Sequence, residues 1–180
     1  ENIANLDYRN QALVKIIRRL RENSKEFVHI IDKVLNTIKK SEAPWSRVWI
    51  LTEIAKKITN IKPEISERLI KLALATTNEI VSPRLRAWAQ AKIAKRLVKK
   101  DPKKAKELIS QALNNAEMVT IPQVRAWLLV KIAKAIAEVD PQQAKILTEG
   151  ALSIRGIYLT PWFLTEVEQV INVLSHKDLI

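Results

Sequence analysis

Residues 83–121 read PRLRAWAQAKIAKRLVKKDPKKAKELISQALNNAEMVTI, and residues 122–160 read PQVRAWLLVKIAKAIAEVDPQQAKILTEGALSIRGIYLT. Laid over one another, the two segments share their punctuation and much of their apolar pattern. The same template extends upstream over residues 44–82. Pro44, Pro83, Pro122 and Pro161 stand 39 residues apart, as do Trp49, Trp88 and Trp127. Three copies also share Arg47, Arg86 and Arg125, and the triplets Ile54-Ala55-Lys56, Ile93-Ala94-Lys95 and Ile132-Ala133-Lys134. In the second halves, Pro63, Pro102 and Pro141 align, followed by Leu69, Leu108 and Leu147 and by the pairs Ala73-Leu74, Ala112-Leu113 and Ala151-Leu152. Ten of 39 positions are identical in all three copies. A fixed period of this length is the signature of a helical or other repeat array.

Within each unit the prolines mark two helix starts. Ser82-Pro83 and Thr160-Pro161 set a side-chain oxygen, able to accept an orphan helix N–H, before a proline whose fixed φ suits a first turn. Asp101-Pro102 and Asp140-Pro141 repeat the device in mid-unit, whereas Lys62-Pro63 offers a weaker cap. At roughly 100° per residue, Leu85, Ala89, Ile93, Ala94 and Leu97 fall on one face of the first helix. In the second, Ala105, Leu108, Ile109, Ala112, Leu113 and Ala116 form a similar stripe, and their alanines allow close helix approach. The expected unit is an antiparallel helical hairpin. One hairpin cannot bury both its helices, so neighbours are expected to stack around a shared core.

The expected organisation is a single all-α repeat domain over residues 1–180: a degenerate hairpin over 1–43, repeats 44–82, 83–121 and 122–160, and a capping helix over 161–175. Ile16-Ile17-Arg18-Arg19-Leu20 matches Ile93-Ala94-Lys95-Arg96-Leu97, and a second amphipathic segment runs near Glu26 to Ile38. In Trp162 to Leu174, acidic Glu166 and Glu168 are expected to replace the basic residues of the repeat.

With its tryptophan and small residue in the first helix (Trp88, Ala94), alanines seven apart in the second (Ala105, Ala112) and proline at the repeat boundary (Pro122), the chain resembles the tetratricopeptide-like superfamily of helical repeats. The resemblance spans the whole chain. It implies a right-handed α-solenoid of antiparallel hairpins whose first helices line a concave surface. The 39-residue unit is longer than that family's usual 34, and its glycine is missing, which leaves a generic α-solenoid related to armadillo or HEAT arrays as the alternative.

Composition narrows the chemistry. Glycine occurs only at Gly150 and Gly156, which leaves no phosphate-binding loop and no hairpin-rich β fold, and the absence of cysteine excludes disulfides and thiolate chemistry. No apolar run approaches the roughly 20 residues of a membrane-spanning helix, and no secretory signal pattern is visible. We therefore expect a soluble, cytoplasmic protein; the first residue is Glu1 rather than methionine. His29 and His176 are far apart and have no evident nucleophilic or acidic partner, and no metal-ligand cluster appears. No catalysis, cofactor or metal is expected.

Candidate binding residues are of two kinds. Trp49, Trp88 and Trp127 point about 180° from the centre of the core face, on the same stripe as Lys56, Lys95 and Lys134, two turns further on. These ladders either hold an extended ligand along a groove, or the indoles fill the space between adjacent first helices. The second kind is a basic cluster. The formal charge of the chain is +12, and residues 83–121 alone carry ten basic and three acidic side chains. The cluster includes Lys92, Lys99, Lys100, Lys103 and Lys104, which form either an anion-binding patch or a solvated lysine-rich surface of thermophile type. Arg47, Arg86 and Arg125, near the apolar face, are expected to reach across a repeat boundary to a carboxylate or to carbonyls ending the preceding second helix. The expected function is a non-catalytic protein-interaction scaffold that binds a peptide or partner helix, acidic in character. The alternative is single-stranded nucleic acid or RNA, with lysines neutralising phosphates and tryptophans stacking on bases.

Overall fold

The computed structural model describes residues 43–176, together with Ala12, Lys15, Leu35 and Asn36, each of them helical. Seven helices run through the continuous span: α1 Pro44–Ile58, α2 Pro63–Thr77, α3 Pro83–Leu97, α4 Pro102–Glu117, α5 Pro122–Ile136, α6 Pro141–Ser153 and α7 Pro161–Ser175. No strand occurs among the described residues, so their fold is all-α. The expected hairpin over 1–43 and His29 lie outside the described residues.

Each of the seven prolines in the chain opens one of these helices. Proline lacks the N–H that a first turn leaves orphaned, and it forces the preceding residue out of helical geometry, so it sets the start of each helix. Ser82, for instance, has φ −66° and ψ 120°. The aspartates cap as expected: Asp101 accepts from Lys104 N at 2.9 Å and Asp140 from Gln143 N at 3.0 Å. Thr160 accepts from Phe163 N at 3.2 Å. Ser82 does not follow the expectation, since its side chain makes no capping bond. The Ser82 carbonyl accepts from Arg86 N at 2.9 Å, and at this boundary proline and that backbone bond start the helix without a side-chain cap.

The mid-unit turns share a closure that needs no glycine. The residue before each mid-unit proline donates its N–H to the carbonyl of the last helical residue: Lys62 to Ile58 at 2.8 Å, Asp101 to Leu97 at 2.7 Å and Asp140 to Ile136 at 2.8 Å. Such a one-turn overrun satisfies an orphan carbonyl in right-handed geometry.

The chain divides into two compact units, Glu1–Ile80 and Val81–Ile180. In the first, α1 packs on α2. Ser66 Oγ donates to Ala55 O at 2.8 Å, tying the start of α2 to the end of α1. At the opposite end, Arg47 pairs with Glu79, just past α2. Val48, Ile50, Leu51, Ile54, Ala55 and Ile58 of α1 are buried with Leu69, Ile70 and Ala73 of α2. Each fully buried isoleucine or leucine contributes about 1.5–3 kcal/mol of transfer free energy.

In the second unit, α3 packs on α4, α5 on both of them, α6 on α5, and α7 on both α5 and α6. Ala89, Ile93 and Ala94 of α3 are buried as expected, while Leu85 and Leu97 are only half-buried. Ala87, Gln90 and Ala91 are buried as well, so the covered surface of α3 extends well beyond the single stripe read from periodicity. The cause is that a first-type helix meets its own second helix and a neighbouring first-type helix. Gln90, 5% exposed, donates to Gln111 Oε1 at 3.1 Å and accepts from Asn115 Nδ2 at 3.0 Å, which joins α3 to α4 through a satisfied polar cluster.

Helix α7 takes the place of a first-type helix with altered residues. In register, Glu166 stands where Trp127 does and Glu168 where Leu129 does, so they replace an aromatic and an aliphatic residue rather than the basic residues expected. Thr165, Asn172 and Ser175 likewise replace Ala126, Ala133 and Ile136. Ile171 is 39% exposed, whereas its equivalents Ile54, Ile93 and Ile132 are fully buried. No described helix is long and apolar enough to cross a membrane.

Candidate functional site

The tryptophans that repeat at 39-residue intervals are neither on the surface nor in the core. Trp49, Trp88 and Trp127 are all half-buried, and for Trp127 the cover includes the Trp162 ring of α7. Trp49 lies in the first unit and the other two in the second.

In the second unit the partners of the indoles are lysines one turn on, not two. Lys92 Nζ lies 5.4 Å from the Trp88 ring centroid, and Lys131 Nζ lies 5.4 Å from that of Trp127. An ammonium over an indole face is attracted by the ring quadrupole, by about 0.5–2 kcal/mol depending on desolvation. Lys92, assigned from sequence to the basic cluster, therefore belongs to the aromatic row. Lys56 and Lys95 are exposed, and Lys134 is half-buried. In the first unit Glu53 stands where Lys92 and Lys131 do, so the aromatic-cation pattern is a property of α3 and α5.

Around α5 the row is most complete. Trp162 of α7 stacks on Trp127 with ring centroids 5.7 Å apart and planes 25° from parallel, and Lys131 Nζ lies 5.9 Å from the Trp162 ring as well. One turn further along α7, the Glu166 carboxylate takes Lys131 at 2.6 Å and Lys134 at 3.1 Å. Lys134 also donates to Gln169 Oε1. The Glu166 side chain is 13% exposed. Burial alone would push its pKa up, but the hydrogen bonds and charges of Lys131 and Lys134 prevail and hold it below the usual carboxylate value. Trp127 Nε1 is buried without a hydrogen-bond partner, an unsatisfied donor inside this contact.

Lys99 pairs with Glu138 at 2.6 Å and Lys104 with Glu107 at 2.8 Å, so two charges of the basic cluster are answered by carboxylates. The bond and charge of Glu107 raise the Lys104 pKa above its ordinary value. Lys100 and Lys103 are exposed beside the turn between α3 and α4. The Lys99–Glu138 and Lys104–Glu107 pairs lie on the surface, where solvent screens them.

The arginines depart from expectation in one respect. Arg47 does meet a carboxylate, but Glu79 follows the second helix of its own repeat, not the preceding one. The start of α1 lies beside the segment that leaves α2, which brings that carboxylate within reach. Met118 and Ile157 occupy the positions equivalent to Glu79, so this ion pair cannot recur although the arginine does.

Lys131, Trp162, Glu166 and Gln169 were missed as site residues. The Trp-x3-Lys spacing of Trp88-Lys92 and Trp127-Lys131 was the signal available in the sequence. Among the described residues no group of three or more histidines and carboxylates is placed to hold a metal ion, and His176 is exposed just past α7. No protein-family model, curated protein or solved structure matches the chain.

Proposed function

We propose that this chain is a non-catalytic protein-interaction scaffold of the tetratricopeptide-like type, a right-handed solenoid of antiparallel hairpins that binds an acidic peptide or partner helix along its first-type helices. The paired contacts at both ends of α1 and α2, Ser66 with Ala55 and Arg47 with Glu79, support antiparallel hairpins. The binding assignment rests above all on Glu166: two lysines beside a pair of stacked indoles already hold a carboxylate. Trp88, Lys92 and Lys95 repeat the residue types and spacing of Trp127, Lys131 and Lys134. An acidic side chain is the ligand such a set recognises, because the ammonium groups supply charge and the indoles supply desolvating apolar surface.

The test is a titration of the whole chain with fluorescent acidic helical peptides and, separately, with single-stranded oligonucleotides, at low and at physiological salt. The acidic peptide is expected to bind with micromolar affinity and to weaken about tenfold when Lys92 and Lys95 become glutamine. Oligonucleotide binding is expected to be lost at physiological salt as counterion release fades. Micromolar oligonucleotide binding that survives physiological salt, and disappears when Lys99, Lys100, Lys103 and Lys104 are changed to glutamine, would replace this reading with the nucleic-acid one.

A further inference from the structure

The α5–α7 contact is built from three matched pairs at one constant offset. Trp127 meets Trp162, Lys131 meets Glu166, and Lys134 meets Gln169. The same offset joins Gln123 to Tyr158, whose N–H donates to Gln123 Oε1 at 2.6 Å and whose carbonyl accepts from Gln123 Nε2 at 3.1 Å. The two helices therefore present an aromatic, polar, polar row to one another in matching order. Carried back one repeat, the same offset sets Lys92 of α3 opposite Trp127 of α5. There the array uses an indole where α7 uses a carboxylate. The central pair of the α5–α7 contact is charged, and charge pairing selects a partner by sequence in a way that aliphatic packing does not.

Other features mark α7 as the least embedded first-type helix of its unit. The polar residues Thr165, Glu168, Asn172 and Ser175 stand where the repeat has Ala126, Leu129, Ala133 and Ile136, and Ile171 is partly open to solvent. The connection that delivers α7, residues 154–160, is longer than the 118–121 connection before α5. It carries Gly156 at φ 80°, and its Arg155, Tyr158 and Leu159 are exposed.

We infer that the α5 row Trp127, Lys131 and Lys134 is a docking site for an acidic helix, and that α7 is its in-chain occupant. The external partner that fits is a helix with an aromatic residue, a carboxylate four residues on and an amide three residues beyond, the pattern of Trp162, Glu166 and Gln169. This inference deepens the scaffold reading and rests on it. Such a partner competes with α7, so its apparent affinity falls by the fraction of chains in which α7 is undocked.

The experiment uses the whole chain and a fluorescent peptide with the sequence of residues 159–176. Glu166→Gln in the chain weakens the internal occupant, so the peptide is expected to bind this variant at least about tenfold more tightly than wild type. Lys131→Gln with Lys134→Gln, added to the variant, is expected to abolish that gain. To separate this effect from a general loosening of the fold by Glu166→Gln, a charge exchange supplies the second arm. A chain with Lys131→Glu and Lys134→Glu is expected to reject the wild-type peptide and to accept the peptide carrying Glu166→Lys, a rescue that a general loosening cannot produce. Equal peptide affinity for wild type and Glu166→Gln overturns the inference. If that equal binding is lost on Lys92→Gln with Lys95→Gln, the scaffold reading stands while the role assigned to α7 does not.

Discussion

Helices α5 and α7 hold the same place in the 39-residue period, yet α5 is buried nearly all round while α7 is buried on one side only. On α5, Ala126, Leu128, Val130, Ile132, Ala133, Ala135 and Ile136 are covered. On α7 only Phe163, Val167, Val170 and Leu174 are. Successive members of these four lie four, three and four residues apart in sequence, the single apolar stripe of an amphipathic helix. The repeat template specifies a helix at both places. What differs is the described neighbours of each: α5 meets α3, α4, α6 and α7, whereas α7 meets α5 and α6, and polar residues stand on α7 where α5 carries Ala126, Leu129, Ala133 and Ile136.

The largest consequence of this difference should appear at one pair of equivalent isoleucines. Ile132→Ala removes a fully buried side chain and should cost about 2–5 kcal/mol, whereas Ile171→Ala, at a position already open to water, should cost under about 1 kcal/mol. Urea unfolding of both variants would measure this directly, and similar losses would mean that α7 is as embedded as α5. Next in size is Glu166→Gln, which leaves Lys131 and Lys134 without their carboxylate in a partly buried setting and should cost about 1–3 kcal/mol. Its pH dependence has a definite sign. Folding lowers the Glu166 pKa, so its stabilisation is present above the unfolded carboxylate value of about 4.3 and is lost as pH falls through the lower folded value. Stability measured across the acid range should therefore decline less steeply in Glu166→Gln than in wild type. The smallest effect concerns the helix starts: Thr160→Ala removes the side-chain cap of α7 and should cost about 0.5–1 kcal/mol. Ser82→Ala, at a start without such a cap, should change the melting midpoint by no more than the scatter between repeat scans.

Helix starts were legible in the sequence because proline acts locally: it constrains its own φ and the preceding residue whatever the tertiary context. The aspartate caps were legible for the same reason. Ser82 misled because capping requires the hydroxyl to turn toward the N–H groups of the first turn, and residue type does not fix that rotamer. The tryptophans are half-buried, and periodicity gives an angle and not a depth, so a half-buried indole reads the same as an exposed one. Pairing Trp88 and Trp127 with Lys95 and Lys134 followed from a shared stripe. The ammonium that reaches the ring is that of Lys92 or Lys131, one turn away, where a flexible four-carbon stem can fold back over the indole. The role of Glu166 depends on the offset between neighbouring first-type helices, which differs from the 39-residue period and is set by packing. Nothing in one chain of letters states that offset.

The stacking of Trp162 on Trp127 has an optical consequence. Two indoles at 5.7 Å, with their planes 25° apart, have transition dipoles close enough to couple. The ultraviolet circular dichroism of the chain should therefore carry an exciton contribution belonging to the pair and to neither ring alone. Trp45, Trp49 and Trp88 add a background that Trp162→Phe leaves in place, so a difference spectrum isolates the coupled pair. The contact between α5 and α7 thereby carries an intrinsic spectroscopic label, through which undocking of one helix can be followed without attaching a dye.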